Sequence, residues 1–237
     1  MKDNVITLQK AIMDEKATEY FIKICGFYRD MKKYRSHLDK ALQVRDKLGD
    51  RISPKAVLSF FDKPLFDGKN LLINNVKFEC LAFEQFDPQD LLGIYAYILS
   101  AGEFSFESGT MAEAFYADCW GTAYLDAGRD VLRQYIKNLY HTSDVFVSDS
   151  FGPGYYGMQV SNLPNFFKIL DASKIGVTLY GEQLMVPLKT CAGFYMVSKK
   201  EMNLGRDCAN CIGNQRGCQF CRSYSLSIKK IDSYSKI

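Results

Sequence analysis

The chain is predicted to be an α+β protein carrying a helical arm at its N-terminus and a four-cysteine metal segment at its C-terminus. Apolar residues recur at helical spacing near the N-terminus and again between Thr110 and Tyr140. Short β-type runs, broken by proline, glycine and asparagine, fill the stretches between and after them. Two Cys-x-x-Cys pairs lie close together near the C-terminus. With 237 residues, 47% of them hydrophobic, the chain can bury a sizeable core, and one domain with appendages is expected.

The first 48 residues read as helix, because Ile6, Ala11, Phe21, Ile24, Tyr28, Met31, Leu38, Leu42 and Val44 recur near helical spacing, with Gly26 as a break. Residues 1–50 are therefore expected to form the helical arm. From Arg51 to Phe86 the pattern turns to β runs, and Leu71-Leu72-Ile73, Asn74-Asn75 and Val76-Lys77-Phe78 predict a hairpin. Asp87-Pro88 supplies an N-cap and first-turn proline, so a helix is expected from Pro88 to Ser100. A second is expected from Thr110 to Tyr140, where Ala112, Phe115, Cys119, Ala123, Ala127, Val131, Tyr135 and Leu139 share a stripe. Gly121 and Gly128 within it suit close helix packing, and Trp120 suits the core. A strand at Val145 to Val147 precedes the Gly152–Gly157 loop. Beyond it come a helix at Leu163 to Leu170, strands at Ile175 to Leu179 and Thr190 to Ser198, and an alternating run at Tyr224 to Ile228.

The 30 basic and 27 acidic residues are well mixed, leaving a formal charge of +3 and no basic patch of the kind that binds nucleic acid. The polar N-terminus lacks the apolar centre of a signal peptide, and no stretch approaches the ~20 apolar residues of a membrane span. A soluble, cytoplasmic protein is the expectation. There, the eight cysteines are thiols or metal ligands rather than a disulfide framework. Cys25, Cys80, Cys119 and Cys191 lie in apolar patterns and are assigned to packing. His37 and His141 have no nucleophile motif nearby and receive no role.

Cys208-Ala-Asn-Cys211 and Cys218-Gln-Phe-Cys221 are two knuckles whose spacing lets four thiolates converge on one tetrahedral centre. Gly213 and Gly217 permit the reversal between them, and Arg206, Arg216 and Arg222 offset the thiolate charge. Zinc and a [4Fe–4S] cluster both suit four cysteines, and the spacing does not separate them.

Gly152, Gly154 and Gly157 match the spacing of the dinucleotide-binding fingerprint, but Pro153 and two tyrosines occupy positions that need small residues, and no parallel βαβ pattern surrounds them. A tight turn is the better reading. The order Pro153-Gly154-Tyr155, a helix ending Phe166-Phe167-Lys168-Ile169-Leu170, Gly176-Val177-Thr178-Leu179, Met185-x-Pro187 and Gly193-Phe194-Tyr195 resembles the activation domain of vitamin B12-dependent methionine synthase. It is more similar still to the free-standing activation-domain-like proteins of anaerobic bacteria, which also end in a cysteine-rich segment. The specific likeness runs from Val147 to Cys221, residues 51–200 forming the activation-like domain and 201–237 the metal-binding tail.

The resemblance implies a twisted antiparallel sheet with flanking helices. It also implies docking on a corrinoid protein or cobalamin-dependent methyltransferase, to help return oxidised cobalamin to its methylated form. Pro153, Gly154, Tyr155, Met185 and Tyr195 are then the ligand- or corrinoid-facing residues, and a redox cluster on Cys208, Cys211, Cys218 and Cys221 would suit such a role. One departure bears on the ligand. The family's arginine for S-adenosylmethionine, three residues before Pro-Gly-Tyr, is here Ser150, which cannot offer a charged fork to a carboxylate. That argues against S-adenosylmethionine.

Overall fold

A computed structural model describes residues 3–202, apart from 63, 106–108 and 141–143. Cys208, Cys211, Cys218, Cys221, His141 and the run at 224–228 lie outside the described residues. The elements are β1 (Asn4–Thr7), α1 (Lys10–Ile24), α2 (Arg35–Leu48), β2 (Ile52–Phe61), β3 (Leu65–Asp67), β4 (Asn70–Ile73), β5 (Val76–Glu79), β6 (Leu91–Gly102), α3 (Met111–Leu139), β7 (Phe146–Val147), α4 (Leu163–Ile169), β8 (Thr178–Tyr180), β9 (Leu184–Val186) and β10 (Lys189–Ser198).

An antiparallel sheet of order β1-β2-β6-β10-β7 forms the middle layer. Its long strands are buried on both faces, and the two-residue period of a strand sorts their side chains between two cores. Tyr95, Tyr97, Leu99, Tyr195 and Val197 face one core, built with α1, α2 and α3. Ile94, Ala96, Ile98, Phe194 and Met196 face the other, covered by the β3-β4-β5 sheet, the Gly152 loop and α4. This is the expected α+β architecture.

Two expectations are corrected. The helix predicted from Pro88 to Ser100 is strand β6. Asp87 makes only a turn, its carboxylate accepting from Gln89 N at 2.9 Å and its carbonyl from Asp90 N at 3.1 Å. The run beyond it is apolar on both faces because both are buried, which erases the alternation that marks a strand. The N-terminal stretch, read as helix throughout, opens with a strand, and its helices pack on the core of this chain. Ile6 belongs to edge strand β1, paired with β2, and α1 lies along α3, with Phe21 stacked on Trp120 at 4.1 Å. The indole N–H of Trp120 reaches the Ala41 carbonyl of α2 at 2.7 Å, tying three helices together.

The remaining elements follow local chemistry. Asn74 and Asn75, both at positive φ, turn the β4–β5 hairpin. Thr110 closes a capping box with Glu113 at the head of α3. Gly128 lets α3 approach Leu99 of β6, where a Cβ would come within 2.8 Å of its side chain. No described helix is long and apolar enough to cross a membrane.

Candidate functional site

After β7 the chain runs along β10 before it turns. Ser148 N donates to Met196 O at 3.0 Å, and Phe151 and Phe194 exchange backbone bonds of 3.2 and 2.7 Å. Gly152 and Gly193 make this approach possible, since a Cβ on the first would strike Ala192 O and a Cβ on the second Phe151 O. The loop then folds on itself through Tyr155 N to Gly152 O and Met158 N to Tyr155 O, each 2.9 Å, with Gly154 left-handed at φ +90°. Phe151 anchors it among Phe83 and Phe86. Of the two tyrosines, Tyr156 is buried against Phe151, while Tyr155 is 47% exposed.

On the helical side of the sheet, the loop closes over a polar cluster supplied by α3, β6 and β10. Arg129 and Asp126, one turn apart on α3, are ion-paired, and the Arg129 guanidinium lies 5.5 Å from the Tyr155 ring centroid. The Tyr97 hydroxyl meets Ser150 Oγ at 2.5 Å and contacts the Cys191 thiol. Tyr195 packs on Tyr97 at 5.0 Å and donates to the Arg129 carbonyl at 2.7 Å. A turn further along α3, Arg133 holds the root of the loop through Val147 O at 2.7 and 3.0 Å and Asp149 at 2.6 Å.

Desolvation dominates the electrostatics of this cluster. It pushes Tyr97 and Tyr195 well above the usual phenol range. The Cys191 thiol is raised to about 11 by the same burial, with Arg129 acting against it. Asp126 stands above its ordinary value because burial outweighs the pull of Arg129. Burial also opposes the charge on Arg129, but the Asp126 carboxylate paired with it favours keeping it. Perturbed groups of several kinds, converging beneath an exposed loop, make this cluster the candidate site.

Of the Pro153-Gly154-Tyr155 turn, Tyr155 lies beside this cluster, its ring over the Arg129 guanidinium. Tyr195 does not face outward with it: it is fully buried and braces Arg129 from behind. Met185 is on β9, packed against the core on the opposite face of the sheet, so the fold does not bring it to Tyr195. Arg129, Asp126 and Tyr97 escaped sequence reasoning, and Cys191, read there as packing, has a polar neighbourhood. The one available signal was the i, i+3 spacing of the opposite charges Asp126 and Arg129 within a predicted helix. Among the described residues, no group of three or more His, Cys, Asp or Glu could hold a metal ion.

No family model matches the chain, and no curated protein matches it. Its fold is similar to that in the crystal structure of the MetH reactivation domain bound to AdoHcy, with a TM-score of 0.59 and 13% identity. The likeness covers 92% of this chain and 86% of that one. At that identity it is a likeness of fold.

Proposed function

We propose that this protein docks on a corrinoid protein and supports its reductive reactivation. The observation that carries the reading is the Pro153–Tyr155 turn, which follows a segment bonded to β10 through Phe151 and presents an exposed aromatic ring over a charged pair. The fold likeness to a reactivation domain supports it. Cys208, Cys211, Cys218 and Cys221 would hold a [4Fe–4S] cluster or zinc, and a cluster would supply single electrons for cob(II)alamin reduction. The role of the turn is to present Tyr155 to the partner while Arg133 and Phe151 hold its base rigid.

The test is anaerobic purification with iron and acid-labile sulfide assays, followed by reduction of a cob(II)alamin-loaded partner monitored by visible absorbance. Iron at cluster stoichiometry with faster reduction is expected. Absence of both removes the redox role, and one equivalent of zinc with redox-independent partner binding would favour a plain docking module. Tyr155→Ala is expected to weaken partner binding in either case.

A second reading rests on the Arg129–Asp126 pair. Ser150 takes the place of the family's arginine, but α3 brings a guanidinium to the same loop, Ser150 bonding to Tyr97 and Arg129 lying over the Tyr155 ring. A guanidinium beside a carboxylate complements the carboxylate and ammonium of an α-amino acid, the end group of S-adenosyl ligands. Arg129 would bind the carboxylate and Asp126 the ammonium, and S-adenosylmethionine would supply a methyl group. Calorimetric titration with S-adenosylhomocysteine decides this: heat that disappears in Arg129→Met supports the site, and no heat with the unmodified protein removes it.

A further inference from the structure

The helical layer holds a second reactive feature, remote from the loop. Helices α1 and α3 run antiparallel, and their contacts step along both. Tyr124 donates to Asp14, and Phe21 stacks on Trp120 and meets Tyr116 edge-on at 6.1 Å. One helical turn beyond Phe21 stands Cys25, the C-cap of α1, and immediately before Trp120 stands Cys119. The ladder brings the two side chains together, with the Cys25 thiol donating to the Cys119 sulfur. The other described cysteines are engaged elsewhere, Cys80 with the Tyr156 carbonyl at 3.2 Å and Cys191 with Tyr97.

The two thiols differ in access. Cys119 is buried, whereas Cys25 is half-buried and lines an open groove with Tyr34, His37, Phe115 and Tyr116. A small molecule in that groove reaches Cys25 first.

We propose that Cys25 and Cys119 are a dithiol site that exchanges with low-molecular-weight disulfides, closing reversibly into a disulfide between α1 and α3. The Cys25 thiolate attacks one sulfur of a small disulfide RSSR, forming a Cys25–S–S–R mixed disulfide and releasing RS⁻. The Cys119 thiolate then attacks the Cys25 sulfur, and a second RS⁻ leaves. The protons of the two protein thiols end on the two released RSH, so the dithiol is oxidised by two electrons and RSSR is reduced by two. In the free dithiol the bond to Cys119, with burial, holds the proton on Cys25 and raises that thiol above its usual range, so loss of this proton to solvent sets the rate of the first attack. The Phe21–Trp120 stack holds α1 against α3 next to the two cysteines. This site is independent of the proposed corrinoid role.

The experiment incubates the full-length protein with graded oxidised glutathione, alkylates free thiols, and maps proteolytic peptides by mass spectrometry, circular dichroism confirming the native fold throughout. A peptide pair joined through Cys25 and Cys119, about 2 Da lighter than its two reduced halves, is the expected product. In Cys119→Ser a stable glutathione adduct should accumulate at Cys25. Residues 25 and 119 both remaining alkylatable at full oxidation, or each carrying its own glutathione in the unmodified protein, would overturn the proposal. So would the lack of an adduct at Cys25 in a folded Cys119→Ser protein. If that variant does not fold, the mapping of the unmodified chain decides alone.

Discussion

Replacing Arg129 by methionine keeps the apolar stem of the side chain and removes its charge, which strands the carboxylate of Asp126. Both side chains are only 24% exposed, and burial already lifts the Asp126 pKa while the arginine is present. Losing a charged hydrogen-bond partner in a buried setting costs about 1.5–3 kcal/mol, and the residual solvent access places this case toward the lower part, roughly 2 kcal/mol. At about 2–4 °C per kcal/mol for a chain of this size, Tm at pH 7 should fall by roughly 4–8 °C. Adding Asp126→Asn removes the stranded charge and should recover most of that loss without restoring ligand binding. A carboxyl whose folded-state pKa lies above its unfolded value contributes stability that is present below the unfolded pKa and lost as pH rises through the folded one. The single variant's deficit should therefore shrink on acidification from pH 7 toward the ordinary carboxyl range, and the double variant's should not. Thermal unfolding followed by circular dichroism at pH 7 and pH 5 measures this. A single variant within about 1 °C of the unmodified protein at pH 7, or a deficit indifferent to Asp126→Asn, would refute a desolvated pair beneath the loop.

Thr110→Ala removes the cap of α3, where Glu113 N donates to Thr110 Oγ1 at 3.2 Å, and should cost about 1 kcal/mol by urea unfolding. Lys47 and then Thr110 draw the Glu113 carboxyl down to about 2, so its contribution is present above the ordinary value of 4.5 and lost as pH falls toward 2. Glu113→Gln should flatten that acid limb of the stability profile. Gly193→Ala places a Cβ against Phe151 O and within 3.0 Å of the Tyr97 hydroxyl, and should destabilise by roughly 1–3 kcal/mol, read as a lower urea midpoint with weaker Tyr155-dependent partner binding. Trp120→Phe leaves the Ala41 carbonyl without its indole donor and opens a void among α1, α2 and α3, for a loss of roughly 2–4 kcal/mol by chemical denaturation.

The elements that could be read in advance are those with short-range causes. The stripe of α3, the Asn74-Asn75 hairpin, the Gly152–Gly157 turn and α4 each carry their signal within a few neighbouring residues. Strand β6 does not, since its apolar run reflects two buried faces that exist only once the helices and the smaller sheets have packed on either side. Strand β1, four residues long, owes its state to its pairing with β2 some fifty positions away.

The same division runs through the candidate site. The Pro153-Gly154-Tyr155 turn was legible from residues alone, because glycine and proline dictate backbone conformation locally, and so was the spacing of Cys208, Cys211, Cys218 and Cys221. It took packing to turn Tyr155 to solvent and Tyr156 into the core, to make Tyr195 brace rather than line the site, and to bring Arg129 and Asp126 of α3 beneath the loop. Those placements depend on α3 crossing one face of β10 while the loop closes along that strand's edge. That contact joins residues far apart in the chain, and no local pattern encodes it.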